Sequence, residues 1–366
     1  MRSGREITFL INSLRGGGAE RVCVTLANVL AERGWSVTLV VLNLDGAVYQ
    51  NRLSSKVPLV NLGAGHARTA FIPLRRYLWK ARPGKILVFN HQLAVLLVLV
   101  RRFFPFRFFI IARNINTLSV ERDNETSFWH RHIVAHLVRR LYRKVDRIVA
   151  QSSGMRDDLI NALGIGREMI SLIHNPVRLE IELFMDENAS TDVERGDYIL
   201  CVGRLDKQKA LHLAIESFAL VAADYPALRL KLVGIGPLER DLEKLAQERG
   251  VAQRVDFEGF QENIVPYYLH ARATVLTSRY EGFPNVLVES TSLGTPVAAF
   301  DCASGPAEIV REGVNGYLAR FGDVRHMADS IRKILARDWD REKIAATAEK
   351  YKSTTIAEAY ERLLLQ

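Results

Sequence analysis

Cysteine is scarce in this chain of 366 residues: only Cys23, Cys201 and Cys302 occur, far apart and among apolar or small neighbours. That spacing excludes a cysteine-based metal centre, and an odd, sparse count argues against a disulfide framework. Buried thiols in a reducing compartment are expected. Long hydrophobic runs are also lacking. The longest, Leu93 to Val100, has eight residues, well short of the ~20 needed to span a bilayer. Near the N-terminus the run from Ile7 to Leu14 is broken by Thr8, Asn12 and Ser13 and then meets Arg15, which reads as a first β-strand and not a signal peptide. No Gly/Ser or Gln/Asn tract suggests disorder. Helix-turn-helix, RNA-binding sheet and zinc-finger patterns are missing too, so nucleic acid is not an expected partner.

Charge, by contrast, is abundant and uneven. The net charge is +9. Residues 1–178 carry 27 Lys and Arg against 11 Asp and Glu, or +16; residues 179–366 carry 23 against 30, or −7. A basic first half implies an anionic partner. In that half Leu93–Val100 is followed by Arg101-Arg102-Phe103-Phe104-Pro105-Phe106-Arg107-Phe108-Phe109. A buried helix leading into a strand accounts for part of it. Arginine and phenylalanine around a proline also suit an interfacial anchor on an anionic membrane.

Strand-like and helix-like segments alternate through both halves. In the first, strands are predicted at Ile7–Asn12, Ser36–Asn43, Leu59–Asn61, Ile86–Asn90, Phe108–Ala112 and Arg147–Gln151, with helices at Ala19–Arg33, Leu74–Lys80, Leu93–Arg102, Phe128–Val145 and Gly154–Leu163. Residues 179–197 are acidic and polar without a steady apolar period, and read as a linker. A second alternation follows, with strands at Tyr198–Val202, Arg229–Val233, Val255–Glu258, Ala273–Leu276 and Pro296–Ala299. The final segment, Ile344–Leu365, reads as one helix that crosses back to the first domain. The fold class is α/β, with two doubly wound domains facing a cleft and ligands at the carboxyl ends of the strands.

The most informative stretch runs from Tyr280 to Glu289. Glu281 and Glu289 stand eight positions apart, separated by Gly282-Phe283-Pro284-Asn285 and then Val286-Leu287-Val288. Glycine and proline favour a tight loop, and the apolar run reads as the start of a helix, whose N-terminus favours anions. The two carboxylates can accept hydrogen bonds from ligand hydroxyls. A ligand rich in both phosphate and hydroxyls, such as a nucleotide sugar, fits. A loop acid beside a solvated helix face is the bland alternative. Upstream, Gly203-Arg204 with Lys209 follows a strand, and the two cations suit a diphosphate, unless the loop is merely basic and solvated. Gly234-Ile235-Gly236 ends another strand; alone it is a weak signal.

Taken together, Val202-Gly203-Arg204 with Lys209, Gly234-Ile235-Gly236-Pro237, Glu281 to Glu289, Gly294-Thr295-Pro296-Val297, and Gly305-Pro306-Ala307-Glu308 with Gly313-Val314-Asn315-Gly316 resemble the retaining family 4 glycosyltransferases of the GT-B fold. The resemblance covers nearly all of the second domain and reaches the first through Gly16-Gly17-Gly18-Ala19-Glu20-Arg21. It implies an acceptor-binding domain at 1–178, a linker at 179–197, a nucleotide-sugar domain at 198–342 and a crossover helix at 343–366.

By the same resemblance, Arg204 and Lys209 hold the diphosphate. Glu281, with the N–H groups of Phe283, Asn285 and Val286, binds donor hydroxyls and phosphate, and Glu289 binds the ribose. The Gly16–Gly18 loop approaches acceptor and donor. No metal and no cofactor beyond the nucleotide-sugar co-substrate is implied, with a UDP-sugar favoured. The product is a surface polysaccharide, lipopolysaccharide or lipid-linked oligosaccharide, made at the cytoplasmic face of the membrane. Two departures stand out. Where the family often has a reaction-centre histidine, this chain reads Ile111-Ala112-Arg113-Asn114, leaving Arg113, Asn114 or His91 as candidates. Ala210 replaces the usual glycine after the lysine. Two other readings compete. A nicotinamide-dependent oxidoreductase lacks the last glycine of its fingerprint, where Arg21 stands. A non-catalytic sugar-nucleotide-binding protein of the same fold would not need both the acidic and the cationic pair. The oligomeric state is not legible.

Overall fold

The computed structural model describes residues 4–114, 139–187 and 193–366. It divides into two compact units, one formed by residues 1–178 with 353–366 and the other by 179–352. Each is built on a wholly parallel sheet.

In the first unit the strands are β1 (Glu6–Ile11), β2 (Ser36–Val41), β3 (Leu59–Asn61), β4 (Lys85–Val88), β5 (Phe109–Arg113), β6 (Arg147–Ala150) and β7 (Ile170–Leu172). Their order across the sheet is β3-β2-β1-β4-β5-β6-β7. The order reverses between β1 and β4, so the loops leaving these two strands diverge and open a crevice at their carboxyl ends. Both sheet faces are covered. One carries the helices Phe71–Ala81, His91–Arg101 and Ser153–Leu163; the other carries Gly18–Glu32 and the C-terminal helix Ser353–Leu364. Strands buried on both sides need continuous apolar sequence, as in Phe9-Leu10-Ile11 and Ile86-Leu87-Val88.

The second unit contains β8 (Tyr198–Val202), β9 (Arg229–Val233), β10 (Val255–Gly259), β11 (Ala273–Leu276), β12 (Val297–Asp301) and β13 (Gly316–Arg320), in the order β10-β9-β8-β11-β12-β13. Its reversal lies between β8 and β11. The loops carrying Lys209 and Glu281 leave those two strands.

Three expectations change. Residues 179–197 are not a plain linker, because Leu179–Glu187 is an α-helix of the second unit. Glu180 and Glu182 in its first turn favour the positive end of the helix dipole, and only Ile181 is buried, so the apolar signal is faint. The last segment is not one helix either. It divides into Arg341–Ala346, a 3₁₀ turn at Glu349–Tyr351, and Ser353–Leu364. Tyr351 packs edge-on against Phe283 in the second unit, whereas Ile356, Tyr360 and Leu363 lie in the core of the first. The chain therefore breaks at Lys352, whose φ and ψ of −56° and 142° are not helical. Most of the helix expected at Phe128–Val145, and part of the 179–197 segment, lie outside the described residues.

The Arg101–Phe109 segment also resolves differently from a uniform anchor. Leu93–Val98 and Val100 are buried, and Phe104, Phe106 and Phe108 pack on one another and on the core. Arg101 donates to Lys144 O at 2.6 Å and pairs with Asp146, a structural role. Of the segment, Arg102, Phe103, Pro105 and Arg107 are exposed.

Candidate functional site

The loop after β8 is held by Asp206. Its Oδ1 accepts from the N–H groups of Gln208 (3.0 Å) and Lys209 (3.1 Å), and its Oδ2 lies 3.2 Å from Arg204 Nη2. Ala210 then turns into the helix Leu211–Ala222 with a left-handed φ of 46°. Three bonds join this loop to the one after β11: Thr277 Oγ1 donates to Lys209 O (3.0 Å), the Arg279 N–H to Gln208 O (2.8 Å), and Gln208 Nε2 to Tyr280 O (3.1 Å). The result places Lys209 Nζ 2.6 Å from Glu281 Oε1, with both side chains largely buried. Arg204 is different. Its side chain is 72% exposed, resting against Asp206 and donating to Gln208 Oε1 at 3.3 Å.

Gly234 and Gly236 serve this loop directly. A Cβ at Gly234 would lie 1.9 Å from Gly203 O, and one at Gly236 2.4 Å from Leu205 O. Both glycines thus let the loop after β9 close on the loop after β8. Leu205 N–H donates to Ile235 O across that contact at 3.1 Å.

The turn from Glu281 to Asn285 is equally constrained. The Glu281 N–H donates to Ala303 O (3.3 Å), and Pro284 packs where a Cβ on Gly305 would stand. Gly282 is buried within the turn. The Phe283 ring is buried against Tyr351. The Asn285 N–H donates to Phe283 O at 2.9 Å within this turn. Val286 stands in the first turn of the helix Asn285–Ser292. Three residues on, Glu289 is 1% exposed and its Oε2 accepts from the Tyr268 hydroxyl at 2.9 Å. Nearby, burial pushes the Cys302 thiol up to about 12, with the Glu281 charge adding to the effect. It is neutral and unreactive.

In the first unit the glycine-rich loop follows β1. Gly16 is exposed with open space around it, Gly17 caps the helix Gly18–Glu32 without a side chain, and the Glu20 carboxylate folds back over Gly17. His91 opens the helix after β4, beside the Asn90 cap. The topology therefore sets the Gly16–Gly18 loop and His91 on the two strands that flank the reversal. Burial pushes the His91 imidazole down to about 4, so it is neutral near pH 7. Arg113 and Asn114 are buried in polar contacts of this unit: Arg113 donates to Asn175 Oδ1 and stacks over Phe89, and Tyr142 donates to Asn114 Oδ1.

Two family models match the chain, each over one of these units: "Glycosyltransferase Family 4" over residues 16–181 and "Glycosyl transferases group 1" over 186–351. Together they take in nearly the whole chain. It belongs to the GT-B glycosyltransferases. A Campylobacter jejuni relative is 27% identical over 380 residues, covering 98% of this chain and 96% of its own. It is an N-acetylgalactosamine-N,N'-diacetylbacillosaminyl-diphospho-undecaprenol 4-alpha-N-acetylgalactosaminyltransferase. A lipopolysaccharide core biosynthesis glycosyltransferase of Rhizobium meliloti is 29% identical, covering 61% of this chain and 65% of its own. Among solved structures, the Anabaena protein HepE in complex with UDP superposes with a TM-score of 0.78 at 19% identity, over 98% of this chain and 99% of the other, a likeness of fold.

Within this glycosyltransferase the second unit brings Lys209, Arg204, Glu281 and the Asn285 helix to one sheet edge. Two supporting residues were not read from the sequence. Asp206 had a signal, a carboxylate two and three residues before the N–H groups it accepts from. Tyr268 had none, because its partner lies 21 residues away. The chain also contains an Asp-x-Asp triplet, Asp338-Trp339-Asp340. Asp340 there caps the helix Arg341–Ala346 and pairs with Lys343, which gives the triplet a structural function.

Proposed function

We propose that this glycosyltransferase moves a hexose or N-acetylhexosamine from a UDP-sugar to a glycan or lipid-linked glycan, with retention at the anomeric carbon and without a divalent metal. The observation that carries the reading is the Lys209–Glu281 pair at the strand-order reversal, with exposed Arg204 beside it. An arriving diphosphate offers Lys209 a second anionic partner and draws Arg204 in. Glu281 then accepts from sugar hydroxyls. Both cations stabilise the negative charge that builds on the departing nucleotide, the task a metal would otherwise perform. Glu289, held by Tyr268, takes the ribose hydroxyls. The Val286 N–H and the helix end favour phosphate, while Gly203, Gly234, Gly236, Gly282 and Pro284 give the loops their shape.

Across the reaction, the open Gly16–Gly18 loop accommodates the acceptor and donor phosphates. His91 is the best placed of the three reaction-centre candidates. It is neutral and stands at a strand end flanking the reversal, whereas Arg113 and Asn114 are tied into the first unit. The relative with a diphospho-undecaprenol acceptor supports a lipid-linked substrate, and the neighbour with bound UDP supports the nucleotide. The basic first unit would hold the enzyme peripherally at the inner face of the membrane.

Thermal-shift measurements with UDP-, GDP- and ADP-sugars, and with NAD, test the donor: protection by UDP-sugars is expected, and protection only by another nucleotide overturns it. Transfer to a lipid-linked acceptor should persist in EDTA, and NMR of the product should show the donor's anomeric configuration.

A further inference from the structure

We infer that one continuous face of the first unit, the outer side of the helix Phe71–Ala81 with the turn Arg102–Arg107, is a docking surface for an anionic phospholipid bilayer. The inference rests on the peripheral-membrane part of the proposed function and names the surface. It starts from composition. Between Asp45 and Glu121 the chain has twelve Lys and Arg and not one Asp or Glu.

The fold concentrates much of that charge on one side. Along the helix Phe71–Ala81, Leu74 and Leu78 are buried, whereas Ile72, Arg75, Arg76, Trp79 and Lys80 are exposed. The exposed positions recur at helical spacing and share one face. Phe71 meets Phe103 edge-on at 5.7 Å, and Trp79 lies 5.9 Å from Phe104, so the turn continues the helix face. Arg82 stacks over Trp79 and Phe106. Three large apolar side chains remain in solvent: Ile72 at 60%, Phe103 at 58% and Trp79 at 49% exposure. They are ringed by Arg75, Arg76, Lys80, Arg102 and Arg107.

This combination selects the occupant. A purely ionic polymer would satisfy the cations and leave Ile72, Phe103 and Trp79 in water. A second copy of the same face would set these exposed cations against one another. A bilayer with anionic headgroups satisfies both kinds of group, with rings at the acyl boundary and guanidinium groups on phosphates. Among the described residues no helix is long and apolar enough to cross a membrane, so such a face binds reversibly.

Vesicle flotation tests it, with the full chain and vesicles of phosphatidylcholine alone or mixed with phosphatidylglycerol. The chain should float with the mixed vesicles at low salt and be released as salt rises. The variants Ile72→Ser/Trp79→Ser/Phe103→Ser and Arg75→Ser/Arg76→Ser/Arg102→Ser/Arg107→Ser should each lose at least about tenfold in partitioning. Unchanged circular dichroism and UDP protection would show that they fold. No flotation of the unaltered chain overturns the membrane reading as well. Flotation that both variants retain overturns this surface and leaves that reading standing. Equal binding to neutral vesicles, loss in the arginine variant alone, or a dimer that the variants dissociate each overturns the proposal.

Discussion

Lys209 and Glu281 face each other at 2.6 Å although they lie 72 residues apart, on loops that leave adjacent strands. Each neutralises the other in a nearly dry setting, so removing one leaves a buried charge without its partner. Lys209→Ala should therefore lower stability by about 1–3 kcal/mol as well as turnover. Arg204→Ala, at an exposed position, should lower turnover by about 100-fold and leave the melting temperature nearly unchanged. Denaturant melts and initial rates on the two variants separate these effects. Near-normal transfer by both would sink the assignment of the clamp.

A second consequence concerns affinity and not rate. Glu289→Gln keeps the shape of the buried side chain but removes its charge, so UDP should bind about tenfold more weakly or worse, with a smaller change in kcat. Tyr268→Phe deletes the hydroxyl that orients Glu289 and should weaken UDP binding less, in the same direction. Calorimetric titration measures both; unchanged UDP affinity in Glu289→Gln would show the ribose role to be wrong.

Ala210 sits in the left-handed region at φ 46° with its side chain fully buried. A residue with a Cβ pays about 1–2 kcal/mol there, partly offset by the extra freedom that glycine brings to the unfolded chain. Ala210→Gly should raise stability by up to about 1 kcal/mol and preserve activity. A lower melting temperature would mean that the surrounding bonds, and not the backbone, set the loop.

Much of this architecture was legible in the sequence for a simple reason. Parallel strands buried on both faces must be apolar throughout, and tight strand-end loops must use glycine, so Ile86–Val88 and Gly234–Gly236 announce themselves. The legible features are local. Lys209–Glu281 and Tyr268–Glu289 are joined only by the folding of distant loops, and no spacing rule reveals them. The Phe-rich segment misleads for the same reason: whether Phe103 or Phe106 faces solvent depends on the helix packed beside it. Leu179–Glu187 was missed because it buries only Ile181 and so shows no apolar period.

Glu361 is a small hub in the C-terminal helix. It accepts from Arg33 Nε (3.0 Å) and Nη2 (2.7 Å) and from Trp35 Nε1 (2.9 Å). The Arg33 bonds come first in holding its carboxyl below the usual range. A depressed carboxylate stabilises the fold above its unfolded pKa and loses that contribution as the pH falls through the folded value. Glu361→Ala should cost about 1–3 kcal/mol at neutral pH. The difference from the unaltered chain should shrink as the pH drops below about 4.5. Urea melts at pH 7 and at low pH check the sign; a gap that widens on acidification would contradict it.

That helix also fixes an order of events during synthesis. Ile356, Ala357, Tyr360, Leu363 and Leu364 cover the same face of the first unit's sheet as Val22, Leu26 and Leu30. The ribosome makes them only after all of residues 179–352. Domains generally fold as they emerge, first to last. Here the first unit waits with part of its core open while the second is translated and free to fold. The nascent chain would thus carry an exposed apolar face while residues 179–352 are made, the kind of surface that a chaperone holds.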